Sequence, residues 1–519
     1  SSPPPSREYQ VSKQCAYTKS MYANPVSQKF TAVNHDRNKD RILVISMHGG
    51  PHSDTIGDLL EMGWPPESLY SICTEQNCDL LGYDGGLPTG FGADYWSKKR
   101  IAGTQLHSKL SKVTQAMKTL LAWDNEAEQR LAEAAVVNAN RKDWTLGKFQ
   151  QDFDATVGNS LDSFTAVVCP YVGWRCAPFL DDKYSHLKVI TRSSHRFHHS
   201  ARTTPDRGKF MLAMLQHMAD NPKRFLVSAA NAFDYMELKT VATGRSGDTS
   251  DAGNYSPVEN LNVVFWPGYY RHVREWSPTH PAVTSTTKAT VVGIGEKYRS
   301  IFKTTFANFK QSLNGHQHNW QLATVADHLH KGATKITHRT RSLIDLAIVF
   351  PYSTHSAKMN EMYSLGIPMI LPSLKLLMSM GTSPKDVLPH FDMSNSFLTH
   401  VEPFKSCGDQ KSNIPEQWVA WADSYTLPHL FYFDSYENLA NIIDSIVATK
   451  GLLDSTRVKM TRFWDNNYAG TSVAVSSYLD SLMEESAPAT QHSKPKFTQK
   501  SDPATQHSKP KFTQKSDPT

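Results

Sequence analysis

Nowhere in the sequence do roughly eighteen apolar residues follow one another, which excludes a membrane-spanning helix within it and sets the expectation of a soluble chain. No Cys-x-x-Cys occurs among Cys15, Cys73, Cys78, Cys169, Cys176 and Cys407, so a zinc ribbon and a dithiol redox motif are both excluded. The even number of cysteines allows disulfides without demanding them. No Gly-x-Gly-x-x-Gly follows a strand, so the dinucleotide fingerprint is missing too. Charge of one sign is scarce: a net +6 is spread over 519 residues, with no basic stripe between aromatics. That balance suits an anionic small molecule and excludes a nucleic-acid surface.

What is present can fill cores. With 39% hydrophobic and 10% aromatic residues the chain can bury a large apolar area, and its length exceeds what one core holds, so two domains are expected. Residues 1–38 carry no sustained period and read as an extended amino-terminal arm, in which Pro3, Pro4 and Pro5 suit a stem. The first firm strand is expected from Arg41 to Met47, followed by His48-Gly-Gly-Pro-His-Ser-Asp54, where the glycines turn the chain, and by a helix from Thr55. Further strands are expected over 161–169, 189–190, 225–230 and 263–266, which makes residues 39–280 a first Rossmann-like unit. Pro278, Pro281 and the hydroxyl cluster at 284–287 mark a boundary. Residues 281–484 then repeat the plan, starting with a strand at 289–294 and ending in a helix over about 455–483. The fifteen-residue unit Ser486 to Lys500 recurs as Ser501 to Lys515, so 485–519 is expected to be a disordered, basic tail that buries nothing.

The most informative stretch runs from Asp345 to Pro372. Ala347 to Phe350 is a short apolar strand that Pro351 breaks into a hydroxyl-rich loop with Ser353, Thr354 and Ser356. Met359, Met362, Tyr363 and Leu365 fall near helical spacing, Gly366 stands where a left-handed cap is wanted, and Ile367 to Leu371 begins the next buried strand. A polar strand-to-helix loop at the carboxyl end of a parallel strand is where open α/β sheets bind ligands.

This stretch resembles the donor segment of the GT-B-fold glycosyltransferases: a hydroxyl-rich loop, a helix carrying Glu361, then Leu365-Gly-Ile-Pro368 and a hydrophobic strand. The resemblance implies an α/β fold of two Rossmann-like domains facing a cleft, the first for the acceptor and the second for a nucleotide sugar. It also implies that Ser353, Thr354, Ser356 and Lys358 face the donor diphosphate and that Glu361 takes the ribose hydroxyls. Free amide groups at a helix start favour an anion in the same place. Many retaining members carry paired glutamates in this segment, and here Ser353 stands where the first would be, which leaves inversion or retention open.

In the first unit, His48 is the candidate base toward an acceptor hydroxyl, with His52 and Asp54 behind it. A strand-ending His48 and a helix-capping Asp54 form the plainer alternative. The cluster Ser194-His-Arg-Phe-His-His-Ser-Ala-Arg202 has no acidic partner of a zinc motif, so His195, Arg196, His198 and Arg202 are read as acceptor or anion ligands. Asp152-Phe-Asp154 matches a metal motif of another transferase fold without following a strand, and no metal is assigned. The expected activity is metal-independent transfer of a sugar from a nucleotide-sugar donor to a glycan, protein or small-molecule acceptor, with no cofactor beyond the co-substrate. A nucleotide-sugar epimerase or hydrolase of the same fold, and a non-catalytic sugar-binding scaffold, are the alternatives. Asn254-Tyr-Ser256 is a glycosylation sequon and points to the secretory route, against a cytoplasmic alternative.

Overall fold

A computed structural model describes residues 33–76, 107–120, 148–194, 205–243, 258–270, 290–294, 319–324, 344–351, 357–379 and 422–484, with a few short pieces between them. The expected repeat tail lies outside the described residues.

Two all-parallel sheets organise the chain. The first contains β1 (Ile42–His48), β2 (Leu69–Gln76), β3 (Ala166–Tyr171), β4 (Lys188–Ser193), β5 (Phe225–Ala229) and β6 (Val263–Phe265), in the order β6-β5-β4-β3-β1-β2. The second contains β7 (Thr290–Ile294), β8 (Trp320–Thr324), β9 (Leu346–Ile348), β10 (Met369–Pro372) and β11 (Phe431–Phe433), in the order β8-β7-β9-β10-β11. Both are Rossmann-like α/β sheets, as the sequence led one to expect.

Continuous apolar runs such as Ile42-Leu-Val-Ile45 belong in strands covered on both faces, and here they are. Leu43 and Ile45 join a core with Met117, Phe153, Leu215 and Phe233, which come from the helices α2 (His107–Leu120), α3 (Lys148–Val157), α4 (Pro205–Asp220) and α5 (Ala232–Thr243). Ile42 and Val44 face the other way, against Ile56 and Leu59 of α1 (Gly49–Glu61). Helix α1 begins at Gly49, directly after β1, so the two glycines open the helix instead of turning the chain ahead of Thr55. A disulfide joins Cys169 of β3 to Cys176 in the 3-10 stretch Gly173–Leu180, and Cys73 is disulfide-bonded as well.

The second sheet is covered on one face by α6 (Ala357–Ser364) and on the other by α8 (Tyr436–Ala448), with the short α7 (Asp423–Thr426) preceding β11. Ser435 starts α8 with a reciprocal capping box to Asn438, which satisfies two amide groups at the helix start.

The last helix, α9 (Leu452–Glu484), holds the two sheets together. Its 33 residues span about 50 Å, and its two halves serve different sheets. Met460 and Trp464 enter the core beneath the second sheet, whereas Val475, Tyr478, Leu479 and Leu482 enter the core beneath the first. Near its end Asp480 is paired with Arg37, which also donates to the Met62 carbonyl and lies 4.4 Å over the Trp64 ring. Among the described residues no helix is long and apolar enough to cross a membrane.

Candidate active site

Helix α6 enters from the carboxyl end of β9, the position expected for a ligand-binding loop in a parallel sheet. Ser353, Thr354 and Ser356 lie outside the described residues; Lys358 falls in the first turn of α6, and its side chain is likewise outside them. Met359, Met362 and Tyr363 anchor the helix in the core beside Trp464. The Tyr363 hydroxyl donates to the Pro428 carbonyl at 2.9 Å, and the Asn360 amide donates to Asp423 Oδ2 at 2.8 Å. Gly366 ends the helix with φ of +68°, and any Cβ there would stand 3.1 Å from the Arg457 carbonyl of α9. Glycine is therefore required twice, by backbone angle and by the approach of the crossing helix. On this anchored helix Glu361 is 7% exposed.

The carboxyl edge of the first sheet is built around Arg192, which is 1% exposed at the end of β4. Its Nη2 donates to Asp54 Oδ2 and to Asp58 Oδ2, both at 2.9 Å, and its Nη1 donates to Thr55 Oγ1 at 2.7 Å. Asp54 and Asp58 are four apart on α1, so one helix face presents both. Both carboxylates also accept from the chain that leaves β6. Tyr269 N–H donates to Asp58 Oδ1 at 3.0 Å, Tyr270 N–H donates to Asp54 Oδ1 at 2.8 Å, and the Trp266 indole donates to Asp58 Oδ2 at 3.1 Å. Gly268 sits so close that a Cβ would fall 1.9 Å from Asp54 Oδ2. Burial, then the neighbouring Asp54, raises the Asp58 carboxyl well above its ordinary range, while Arg192 opposes that shift.

The candidate base is placed differently from its expected helper. His48 ends β1 opposite Gln76 after a register shift, with its side chain outside the described residues. Asp54, expected behind it, belongs instead to the buried ion pair with Arg192. His52 is fully buried, with Nε2 2.6 Å from Ser71 Oγ, and burial lowers its pKa to about 3. Such an imidazole is neutral at physiological pH. His195, Arg196, His198 and Arg202 lie outside the described residues. Asp154 is on α3 and accepts from Gln150 and from the Tyr184 hydroxyl, each at 2.8 Å. Among the described residues no group of three acidic, histidine or cysteine side chains is arranged to hold a metal ion.

Between the two edges stands Tyr270, a residue the sequence did not single out. Its φ of +56° is a left-handed value that costs a bulky residue about 1–3 kcal/mol and persists only where its surroundings impose it. Burial pushes its phenol well above the ordinary range, and the carboxylates of Asp54, Asp423 and Glu361 push the same way. Tyr270 therefore lies near acids from both sheets. The sequence holds a partial signal for this cluster, two aspartates four apart after the first strand and an arginine inside the strand Lys188-Val-Ile-Thr-Arg-Ser193, without any mark that the two meet.

No family model matches the chain, and no curated protein matches it. Structural matches to glycosyltransferases extend over most of its length at low sequence identity. One is the crystal structure of CalG4, the calicheamicin glycosyltransferase, at 9% identity and a TM-score of 0.38, covering 85% of this chain and 98% of that one. Another is the glycotransferase of kitacinnamycin, at 10% identity and a TM-score of 0.35, covering 86% of this chain and 99% of that one.

Proposed function

We propose that the protein is a glycosyltransferase of GT-B type that binds a nucleotide sugar at the carboxyl edge of its second sheet and transfers the sugar to an acceptor bound by the first. In this reading residues 39–280 form the acceptor domain and residues 281–484 the donor domain. Ser353, Thr354, Ser356 and Lys358 hold the diphosphate at the start of α6, and Glu361 accepts the ribose hydroxyls. Leaving-group charge is stabilised there by amides already fixed in a folded helix, so no reorganisation is required as the glycosidic bond breaks. The chemistry needs no metal. His48 takes the proton of the acceptor hydroxyl, and His195, Arg196, His198 and Arg202 line the acceptor side. Asp54 is given no part in proton transfer because its carboxylate is paired with Arg192.

The observation that carries the reading is the placement of Glu361. A nearly buried carboxylate sits on a helix that leaves the carboxyl edge of a parallel sheet and that α9 and α7 hold rigidly. A ribose would present a pair of hydroxyl donors to such a carboxylate. The Cys169–Cys176 disulfide supports an oxidising compartment such as the secretory lumen.

Calorimetry with UDP, GDP, CMP and ADP sugars tests this reading. One nucleotide class is expected to bind and to raise the melting temperature, and Glu361→Gln is expected to weaken it about tenfold, equal to about 1.4 kcal/mol. Absence of binding by all four classes, or equal binding to Glu361→Gln and Lys358→Ala, overturns the assignment. Release of free or altered sugar without an acceptor identifies the hydrolase or epimerase instead.

A further inference from the structure

We propose that Tyr270 is a positioning residue that fixes the donor helix α6 in register with the carboxyl edge of the first sheet, and that the buried group of Arg192, Asp54 and Asp58 exists to hold it there. The donor role of α6 is the reading given above; the mechanical link is argued independently of it.

Three sets of contacts meet at Tyr270. Toward the first sheet, its N–H and that of Tyr269 are taken by Asp54 and Asp58, whose outer oxygens are locked by Arg192. Gly268 lets the chain run against the Asp54 carboxylate where any side chain would collide. Toward the second sheet, the Tyr270 ring belongs to the same core as Met359, Met362 and Tyr363 of α6. The same ring meets the Trp464 indole at 5.9 Å, and Asn360, the residue before Glu361 on α6, is held in turn by Asp423. Toward α9, the Trp464 indole donates to the Tyr269 carbonyl at 3.2 Å, Tyr269 stacks on Tyr468 at 3.8 Å, and Arg274 pairs with Asp465 at 2.5 Å.

A left-handed tyrosine is what this arrangement requires. The chain leaves β6 with its amides turned back to α1, and a positive φ at residue 270 accompanies a ring that lies under α6. An ordinary buried tyrosine would need neither the strained angle nor two aspartates on consecutive amides. Transfer between substrates on different sheets is sensitive to errors of about 1 Å in their relative position, so a rigid link of this kind has a use in catalysis.

Tyr270→Leu is the informative variant because it removes the ring that packs under α6 and keeps an apolar side chain in the core. Hydrogen exchange of the α6 amides is expected to rise at least fivefold in Tyr270→Leu, with exchange in β1 and β4 unchanged. Affinity for whichever of UDP, GDP, CMP and ADP binds is expected to fall at least fivefold. Gly268→Ala, which displaces the Asp54 carboxylate that accepts the Tyr270 N–H, should give the same two changes, and the double variant should be no worse than the stronger single one, since both cut one link. If α6 exchange in Tyr270→Leu matches the wild type, or the two variants add independently, the link is refuted. Retained nucleotide affinity in Tyr270→Leu alongside lost affinity in Glu361→Gln refutes the link and leaves the donor reading standing. If none of the four nucleotides binds the wild type, the donor reading fails, and the exchange data still decide the link.

Discussion

At the carboxyl edge of the first sheet Arg192 meets Asp54 and Asp58 at 2.9 Å and all three are buried; at the same edge of the second sheet Glu361 is buried on α6, beside an Asn360 that donates to Asp423. The first edge uses its charges on the polypeptide itself, since both aspartates accept backbone amides of residues 269 and 270. The second edge carries a carboxylate on the helix that leaves it. Buried ion groups are seldom the cheapest way to gain stability, because desolvation offsets most of their attraction. Their use at the first edge is thus better explained by what they hold in place than by the energy they add. Two similar sheets thus differ at corresponding edges, the first using buried charge to fix the chain and the second being the edge proposed to serve a ligand.

That contrast can be broken by substitution at each edge. Arg192→Met leaves two buried carboxylates facing each other and is expected to lower unfolding free energy by about 3–5 kcal/mol in denaturant titration. A loss under about 1 kcal/mol would show that the first edge is not held by charge. Gly268→Ala pushes a methyl group into the Asp54 carboxylate and should cost about 1–3 kcal/mol by the same measurement; an unchanged midpoint would mean that the chain there has room to move.

The third test uses pH. His52 has a folded pKa of about 3 against an ordinary value of 6.5, so below about pH 6.5 the unfolded chain gains a proton that the folded chain refuses. Stability is therefore present at neutral pH and is lost as pH falls from the unfolded pKa toward the folded one, by about 2 kcal/mol between pH 7 and pH 5. His52→Gln should remove that share of the slope, and an identical slope in the variant would contradict a buried neutral imidazole. The smallest effect on stability is expected from Glu361→Gln, about 1 kcal/mol or less, since the amide keeps the shape and an acceptor oxygen. A loss as large as that of Arg192→Met would erase the distinction between the two edges.

The fold was legible because its signals are local. Ile42 to Ile45 is a continuous apolar run that had to be covered on both faces, and Gly366 was marked by its place between a helical period and a strand. The start of α1 was misread because Gly49 and Gly50 suggest a turn, whereas the helix begins on them without a loop. The pairing of Asp54 was not legible for a different reason. Its partner Arg192 is 138 residues away, and no local pattern announces a pairing between a helix and the end of the fourth strand. Tyr270 was invisible on the same grounds, since its importance lies in a left-handed angle and in neighbours from both sheets. Short-range periodicity reports which element forms; it carries no record of which buried charge another element will bring.

The most direct test of the account is a crystal structure with a nucleoside diphosphate bound. The account predicts the diphosphate against the Ala357 end of α6, with a ribose hydroxyl within hydrogen-bonding distance of Glu361. A nucleotide seated elsewhere on the chain, with Glu361 still enclosed by protein alone, would contradict it.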